Sequence, residues 1–513
     1  MNIQPQAIVE TGALSGKLNE DGDVLMFFGV PYAAPPVGAL RWRPPQPARP
    51  WEGVRDARFR ASANMHRRPS LKTFYGREFD QLEYPRSEDC LYLNIWAPLP
   101  REGEQYPAAL YFHGGDSHAN KAVFDGEGFA KNGVILITVG FRCGVFAGLC
   151  HRELSLESER ETGHYTSGNY GLLDQIAAVK WARRNIRAFG GDPDRVSVFG
   201  QSAGATAVQR LITTPLLKGS LFAAVMQSAG GMDPRYMTAE ATLEQSEAFG
   251  GKVLESLGVS SIEEARALPA ETILNGVEAG PETSMAHLSP KPDGYTLLHT
   301  PDTAGYLGEY PANIPVIIGT TKHEGFAYGT YDSVTEDTLR QYLRRGFGDA
   351  WEDYWQAAGV KDDSTAQKVR RQDSGDVKMA ACYSWVRRQN LLGRPAPYVY
   401  LFTKEAPGPE GAGAFHSGEH AYVFQSMDKV PWRPYNDSDR ALSQAMSRYW
   451  ANFFKTGDPN GAGLPVWEPT RDMERDPWIM ELGCRLGMVR PPQTRVSDFI
   501  QRFVLDFCSS KNP

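Results

Sequence analysis

Cysteine is scarce. Six occur in 513 residues (Cys90, Cys143, Cys150, Cys382, Cys484 and Cys508), and no C-x-x-C pair is present. A disulfide scaffold is excluded, and the expectation is reduced, mostly buried thiols in a cytoplasmic protein. Long apolar runs are also missing. The stretch at 134–139 is short and bounded by glycines, so no segment is expected to span a bilayer. The first residues, MNIQPQAIVETG, lack a basic start followed by an apolar stretch, so no secretory leader is expected. Basic residues are not in excess, at 54 against 61 acidic for a net charge of −7, and no nucleic-acid partner is expected. Internal repeats and low-complexity tracts are absent.

What is present is ordinary for a soluble globular chain. Apolar residues at 41% and charged residues at 22% suffice to bury a large core, which excludes disorder, coiled coil and collagen. The length allows three to four units of about 150 residues, or one large α/β enzyme with long insertions.

Short apolar strands dominate from residue 91 onward. Stretches 91–95, 108–112, 134–139, 196–199, 223–227, 314–318 and 398–402 are near-continuous apolar runs, which suits strands buried on both faces. Residues 171–189 read as a helix, with Leu172, Ile176, Val179, Arg183 and Ile186 near one stripe. Strand–helix–strand alternation argues for an α/β fold with a mostly parallel central sheet flanked by helices. Helical insertions at about 237–277 and 333–392 are expected to form a pocket wall or lid. Capping boxes Ser261-x-x-Glu264 and Ser333-x-x-Glu336 are predicted to open helices there. Two more helices are predicted near 437–455 and 494–504. No boundary divides the chain, so one domain over 1–513 is expected.

The chemistry concentrates at Gly200-Gln201-Ser202-Ala203-Gly204, a G-x-S-x-G sequence. A strand runs straight into it and a helical pattern (Ala203, Ala207, Val208, Leu211) runs straight out. That context is a nucleophile elbow, which lifts a serine hydroxyl above the sheet edge at a helix N-terminus. A serine hydroxyl needs a base, an orienting acid and donors for the oxyanion. Phe112-His113-Gly114-Gly115 follows a strand. The N–H groups of Gly114 and Gly115, with that of Ala203, could converge on one oxygen, each worth on the order of 10²–10³ in rate.

In such a fold the acid follows the serine and the histidine comes last. Glu324 lies just past the strand at 314–318 and is the preferred acid over Asp302 and Asp332. Two histidines compete for the base, His416 and His420, both in a glycine-rich loop, and His416 is preferred. The segment His416-Ser417-Gly418-Glu419-His420 also matches the H-x-x-E-H pattern of zinc proteases. Gly411, Gly413 and Gly418 oppose the helix that pattern requires. No metal or organic cofactor is expected.

With these motifs the chain resembles the type-B carboxylesterase family, α/β-hydrolases that include cholinesterases and para-nitrobenzyl esterases. Phe28-Gly29-Val30-Pro31-Tyr32-Ala33 with Leu40-Arg41-Trp42 resembles the family's N-terminal region. Glu88-Asp89-Cys90-Leu91-Tyr92-Leu93-Asn94 resembles its second signature. Phe189-Gly190-Gly191-Asp192-Pro193 leading to Ser202, and Trp450-Ala451-Asn452-Phe453 with Gly457-Asp458-Pro459-Asn460, resemble later blocks. The resemblance implies an α/β-hydrolase fold with Ser202 as nucleophile, His416 as base, Glu324 as acid and Gly114, Gly115 and Ala203 as the oxyanion hole. It also implies that Glu88 and Arg142 are structural ion-pair partners.

Departures sharpen the reading. Gln201 stands where many members have Glu, and Asp116-Ser117-His118 replaces glycine plus an aromatic, predicting a more polar pocket floor. Cys90 has no earlier cysteine to pair with. Between Met65 and Cys90 there is no Trp, only Phe74, Tyr75, Phe79 and Tyr84, which argues against choline capture. The expected function is hydrolysis of small-molecule carboxylic esters through an acyl-enzyme, by a monomer or weak homo-oligomer that engages no membrane. The alternatives are a lipase-like, thioesterase or amidase activity on the same residues, or a non-catalytic binding module of the same fold.

Overall fold

The computed structural model describes residues 5–115, 117–234, 241–277, 283–308, 313–326 and 331–511. Fourteen strands are β1 (Gln6–Val9), β2 (Gly12–Ser15), β3 (Lys17–Leu18), β4 (Val24–Pro31), β5 (Val54–Asp56), β6 (Tyr92–Pro98), β7 (Tyr106–Phe112), β8 (Ile135–Val139), β9 (Gly191–Gln201), β10 (Ala224–Gln227), β11 (Val316–Thr321), β12 (Tyr398–Phe402), β13 (Ile479–Leu482) and β14 (Leu486–Val489). Eleven of them form one sheet in the order β14-β13-β12-β11-β10-β9-β7-β8-β6-β4-β3, and β1, β2 and β5 form a small separate sheet. From β8 to β13 every pairing in the large sheet is parallel; β3, β4, β6 and β14 join it antiparallel.

The runs read as strands are strands because both faces of the sheet are covered. In β7, Ala108, Leu110 and Phe112 pack on one side with Leu172, Ile176, Val179, Val208 and Leu211. Ala109 and Tyr111 pack on the other, with Phe199, Trp450, Phe453 and Phe454. Alternate residues of one strand thus feed two cores, so no polar face interrupts the run.

The boundaries differ from the expectation in a few places. The helix predicted over 171–189 is α-helical over Tyr170–Asn185, then tightens to a 3₁₀ turn at Ile186–Phe189 that Gly190 ends at φ 79°. Ser261 caps its helix by accepting from Glu264 N at 3.2 Å, but the Glu264 carboxylate turns to Ser260 N at 2.7 Å, so the box is only half made. The second predicted box is displaced. Thr335, not Ser333, is the cap, and it exchanges hydrogen bonds with Thr338, whose hydroxyl replaces the expected Glu. The same i, i+3 geometry is satisfied two residues later, leaving Glu336 in the first turn.

Both insertions are helical where described. Leu243–Ser256, Ile262–Ala267 and Ala270–Val277 bury Val253, Leu254, Ile262 and Ile273 against Val145, Phe146 and Leu149. Residues 237–240 of the first insertion lie outside the described residues. Glu336–Phe347, Trp351–Ala358 and the 29-residue Asp363–Leu391 form the second. Asp373 ties these three together by accepting from Tyr342 at 2.6 Å and Tyr354 at 2.8 Å. Among the described residues no helix is long and apolar enough to cross a membrane, and all six cysteines are free.

Candidate active site

The elbow is built by steric necessity. β9 ends at Gln201 and the helix Ala203–Thr213 begins two residues later, with Ser202 between them at φ 59° and ψ −128°. A left-handed φ at a non-glycine residue costs on the order of 1–3 kcal/mol and persists only where the surroundings enforce it. Here Ser202 N donates to the Gln227 carbonyl at 2.9 Å, while its own carbonyl accepts from Ala205 N at 2.8 Å and Thr206 N at 3.1 Å. A Cβ on Gly200 would lie 2.5 Å from the Gly204 carbonyl, and one on Gly204 would run into the Phe112 carbonyl. The two glycines let the helix sit against the end of β7. Ser202 is half-buried, Ala203 is exposed, and no side chain caps the first turn.

The segment after β7 presses on this turn. A Cβ on Gly114 would stand 3.2 Å from Ser202 Cβ and 3.1 Å from the Gln201 carbonyl. Gly115 faces open space. Among the described residues the amides of Gly114, Gly115 and Ala203 donate to nothing else. Asp116 lies outside the described residues. Ser117 and His118 are buried, and burial lowers the His118 imidazole to about 2.

Glu324 sits in the turn after β11, fully buried. Its Oε1 accepts from Thr320 Oγ1 at 2.5 Å and Thr321 N at 3.0 Å, and its Oε2 accepts from Nδ1 of His416. Burial pushes this carboxyl up, but Lys378 and then His416 outweigh it and hold it well below the usual carboxylate range. His416 is 92 residues away in sequence. A residue not singled out from sequence brings the two loops together. His323 pairs with Phe415 in a parallel bridge, its N–H donates to Ala414 O at 3.0 Å, and its ring accepts from Ala414 N at 3.0 Å. Gly413, at φ 65°, is required because a Cβ there would strike the His323 ring.

His420 sits elsewhere. Its Nε2 meets the Tyr111 hydroxyl at 2.9 Å inside the second core, and burial lowers it to about 3. Glu419 accepts from Ser228 at 3.2 Å. No cluster of metal-ligating side chains occurs among the described residues.

Gln201 joins the elbow to the base loop: Ser417 Oγ donates to its Oε1 at 3.0 Å, and its Nε2 lies 3.2 Å from His416 Nε2. Tyr75, on the short helix Phe74–Phe79, donates to the His416 carbonyl at 3.2 Å. Glu88 and Arg142 are both ion-paired, though not to each other. Arg41 holds Glu88 at 2.5 Å, and Arg142 holds Asp174 at 2.7 Å.

Residues 4–494 match the model of the Carboxylesterase family. The chain is 36% identical over 504 residues to the fumonisin B1 esterase of Sphingopyxis macrogoltabida, covering 93% of this chain and 86% of that protein. It is 32% identical to the para-nitrobenzyl esterase of Bacillus subtilis (strain 168), covering 88% and 90%. A solved PNB esterase structure superposes with a TM-score of 0.81 at 27% identity, over 97% of this chain and 99% of that one. The strand order, the elbow and these likenesses agree: the chain belongs to the carboxylesterase family, has the α/β-hydrolase fold, and is a carboxylic ester hydrolase.

Proposed function

We propose that the protein is a serine esterase in which Ser202 is the nucleophile, His416 the general base and Glu324 the acid that orients it, with the N–H groups of Gly114, Gly115 and Ala203 as the oxyanion hole. The observation that carries this reading is the hydrogen bond from His416 Nδ1 to the buried Glu324 carboxylate. With its proton on Nδ1, the imidazole keeps a lone pair on Nε2, which is what a base for a serine needs.

His416 takes the Ser202 proton as Oγ attacks the ester carbonyl. The imidazolium is stabilised by Glu324, and the oxyanion by the three amides and the helix N-terminus. The alcohol leaves with the proton from His416, and water then repeats the two steps on the acyl-enzyme to release the acid. We read the chain as one α/β-hydrolase unit over 1–513, its two helical insertions walling the pocket. Small-molecule carboxylic esters are the substrate class. The rings of Tyr75, Phe79 and Phe415, with centroids 6.3–6.4 Å apart, stand against the base loop and favour an apolar group in one half of the ester. The relative named for fumonisin B1 makes that compound one ester to assay.

A fluorophosphonate tests the assignment. Stoichiometric labelling that maps to Ser202 by peptide mass spectrometry is expected. Labelling confined to another residue, or none in protein that hydrolyses esters, contradicts it.

A further inference from the structure

Behind the proposed acid lies a second buried carboxylate, and one helix reaches both. Glu419 is fully buried, with Oε1 3.2 Å from Ser228 Oγ and Oε2 meeting no described partner. Ser228 follows β10 at φ 55°, its N–H held by the Gly319 carbonyl at 2.8 Å. That strained backbone turns its hydroxyl to Glu419 and its carbonyl to Lys378, whose Nζ donates to it. The same Nζ lies 3.9 Å from Glu324 Oε2. Lys378 comes from the middle of the insertion helix Asp363–Leu391, 54 residues beyond Glu324.

We propose that Lys378 is a positioning residue of the esterase site: from the insertion helix it supplies the cation that keeps Glu324 ionised next to Glu419, and so controls how readily His416 takes the serine proton. This rests on the reading of His416 and Glu324 as base and acid.

The physical case is one of charge count. Two carboxylates buried together cannot both ionise cheaply, because each is desolvated and each repels the other. A cation beside one of them decides which ionises. Lys378 stands at ion-pair distance from Glu324, and the helix carrying it packs against β11. The expected split follows. Glu324 is held low, while burial and then the Glu324 charge push Glu419 up to about 8.

The other titratable groups around the pair do not supply the charge. Tyr400 on β12 is raised by burial, and His420 is lowered to about 3 by burial. His323 is lowered by burial and then by Lys322. On the helix of Lys378, burial and then Asp373 raise Asp376 to about 7.

A cation here acts on the base in a fixed direction. It opposes the imidazolium and shares the Glu324 charge that would otherwise belong to His416 alone. Removing it makes His416 hold its proton to higher pH.

The test is the second-order rate of fluorophosphonate labelling of Ser202, followed from pH 5 to 9 in the native protein, Lys378→Gln and Lys378→Arg. In Lys378→Gln the acidic limb should move to higher pH by about one unit, so labelling at pH 6 falls about sixfold more than at pH 8. Lys378→Arg should restore the native limb. In the native protein, which needs no substitution, the ¹⁵N shift of the Lys378 ammonium should step at the pH of that limb. An unmoved limb in Lys378→Gln, or a flat ammonium shift, overturns the role of Lys378 and leaves the esterase reading standing. A native protein without labelling at Ser202 overturns that reading itself.

Discussion

The Gln201 carboxamide sits against the imidazole of His416, its Nε2 3.2 Å from one ring nitrogen and 3.4 Å from the other. Ser417 fixes its orientation by donating to Oε1. The carboxamide is neutral, so it adds no charge that would hold a proton on the ring. Glu324 is held low enough to stay ionised throughout, so the acidic limb of ester turnover belongs to the histidine, and turnover should fall as pH drops. Gln201→Glu puts a carboxylate beside the ring, stabilises the imidazolium, and should move that limb up by about one unit. A pH profile of kcat/KM from 5 to 9 checks both statements, and a flat native profile from 5 to 8 would remove His416 from the role.

The elbow glycines make a steric prediction. Gly204→Ala drives a methyl into the Phe112 carbonyl, a backbone atom that cannot swing away. It should cost about 1–3 kcal/mol in urea unfolding. Gly115→Ala, which meets nothing within 4 Å, should leave stability unchanged. Equal effects at the two positions would show that the packing around β7 is looser than described.

Glu419 predicts a slope of stability against pH. Its folded value of about 8 lies above the ordinary value of 4.5. Between the two, the folded chain holds a proton that the unfolded chain has released. The stability this proton contributes is full below about pH 4.5 and is lost as pH rises to about 8. Glu419→Gln, which mimics the protonated acid, should therefore lose less stability than the native protein between pH 5 and 8. Parallel stability curves would mean that Glu419 is ionised.

The buried pair Arg142–Asp174 predicts a large loss on truncation. Its side chains are 2% and 0% exposed, joined at 2.8 and 2.7 Å. Arg142→Ala strands an acid in the core and should cost about 3–5 kcal/mol, whereas removing both charges together costs less. A double-mutant cycle with Asp174→Ala measures the difference.

Much of this was legible from residues alone, for local reasons. Gly200, Ser202 and Gly204 announce a turn that few other sequences can make, and two-sided apolar runs announce buried strands. Thr335 was missed as a cap because Thr338 closes the box without a carboxylate. The partners of Glu88 and Arg142 were not legible, because Arg41 and Asp174 meet them only through tertiary packing. His416 and His420 are equivalent on chemistry. What separates them is the His323–Phe415 bridge, a contact across 92 residues. Glu419 belongs to a pattern that suggests zinc, yet its neighbour is Ser228, and Lys378 looks like one more exposed charge on a long helix until the fold turns it inward.

Turnover of a simple aryl ester by Ser202→Ala, in protein whose unfolding matches the native chain, tests the account most directly. Loss of activity by at least about 10³-fold is predicted, since the hydroxyl, imidazole and oxyanion donors act as one unit. Hydrolysis at the native rate would show that another group attacks the ester.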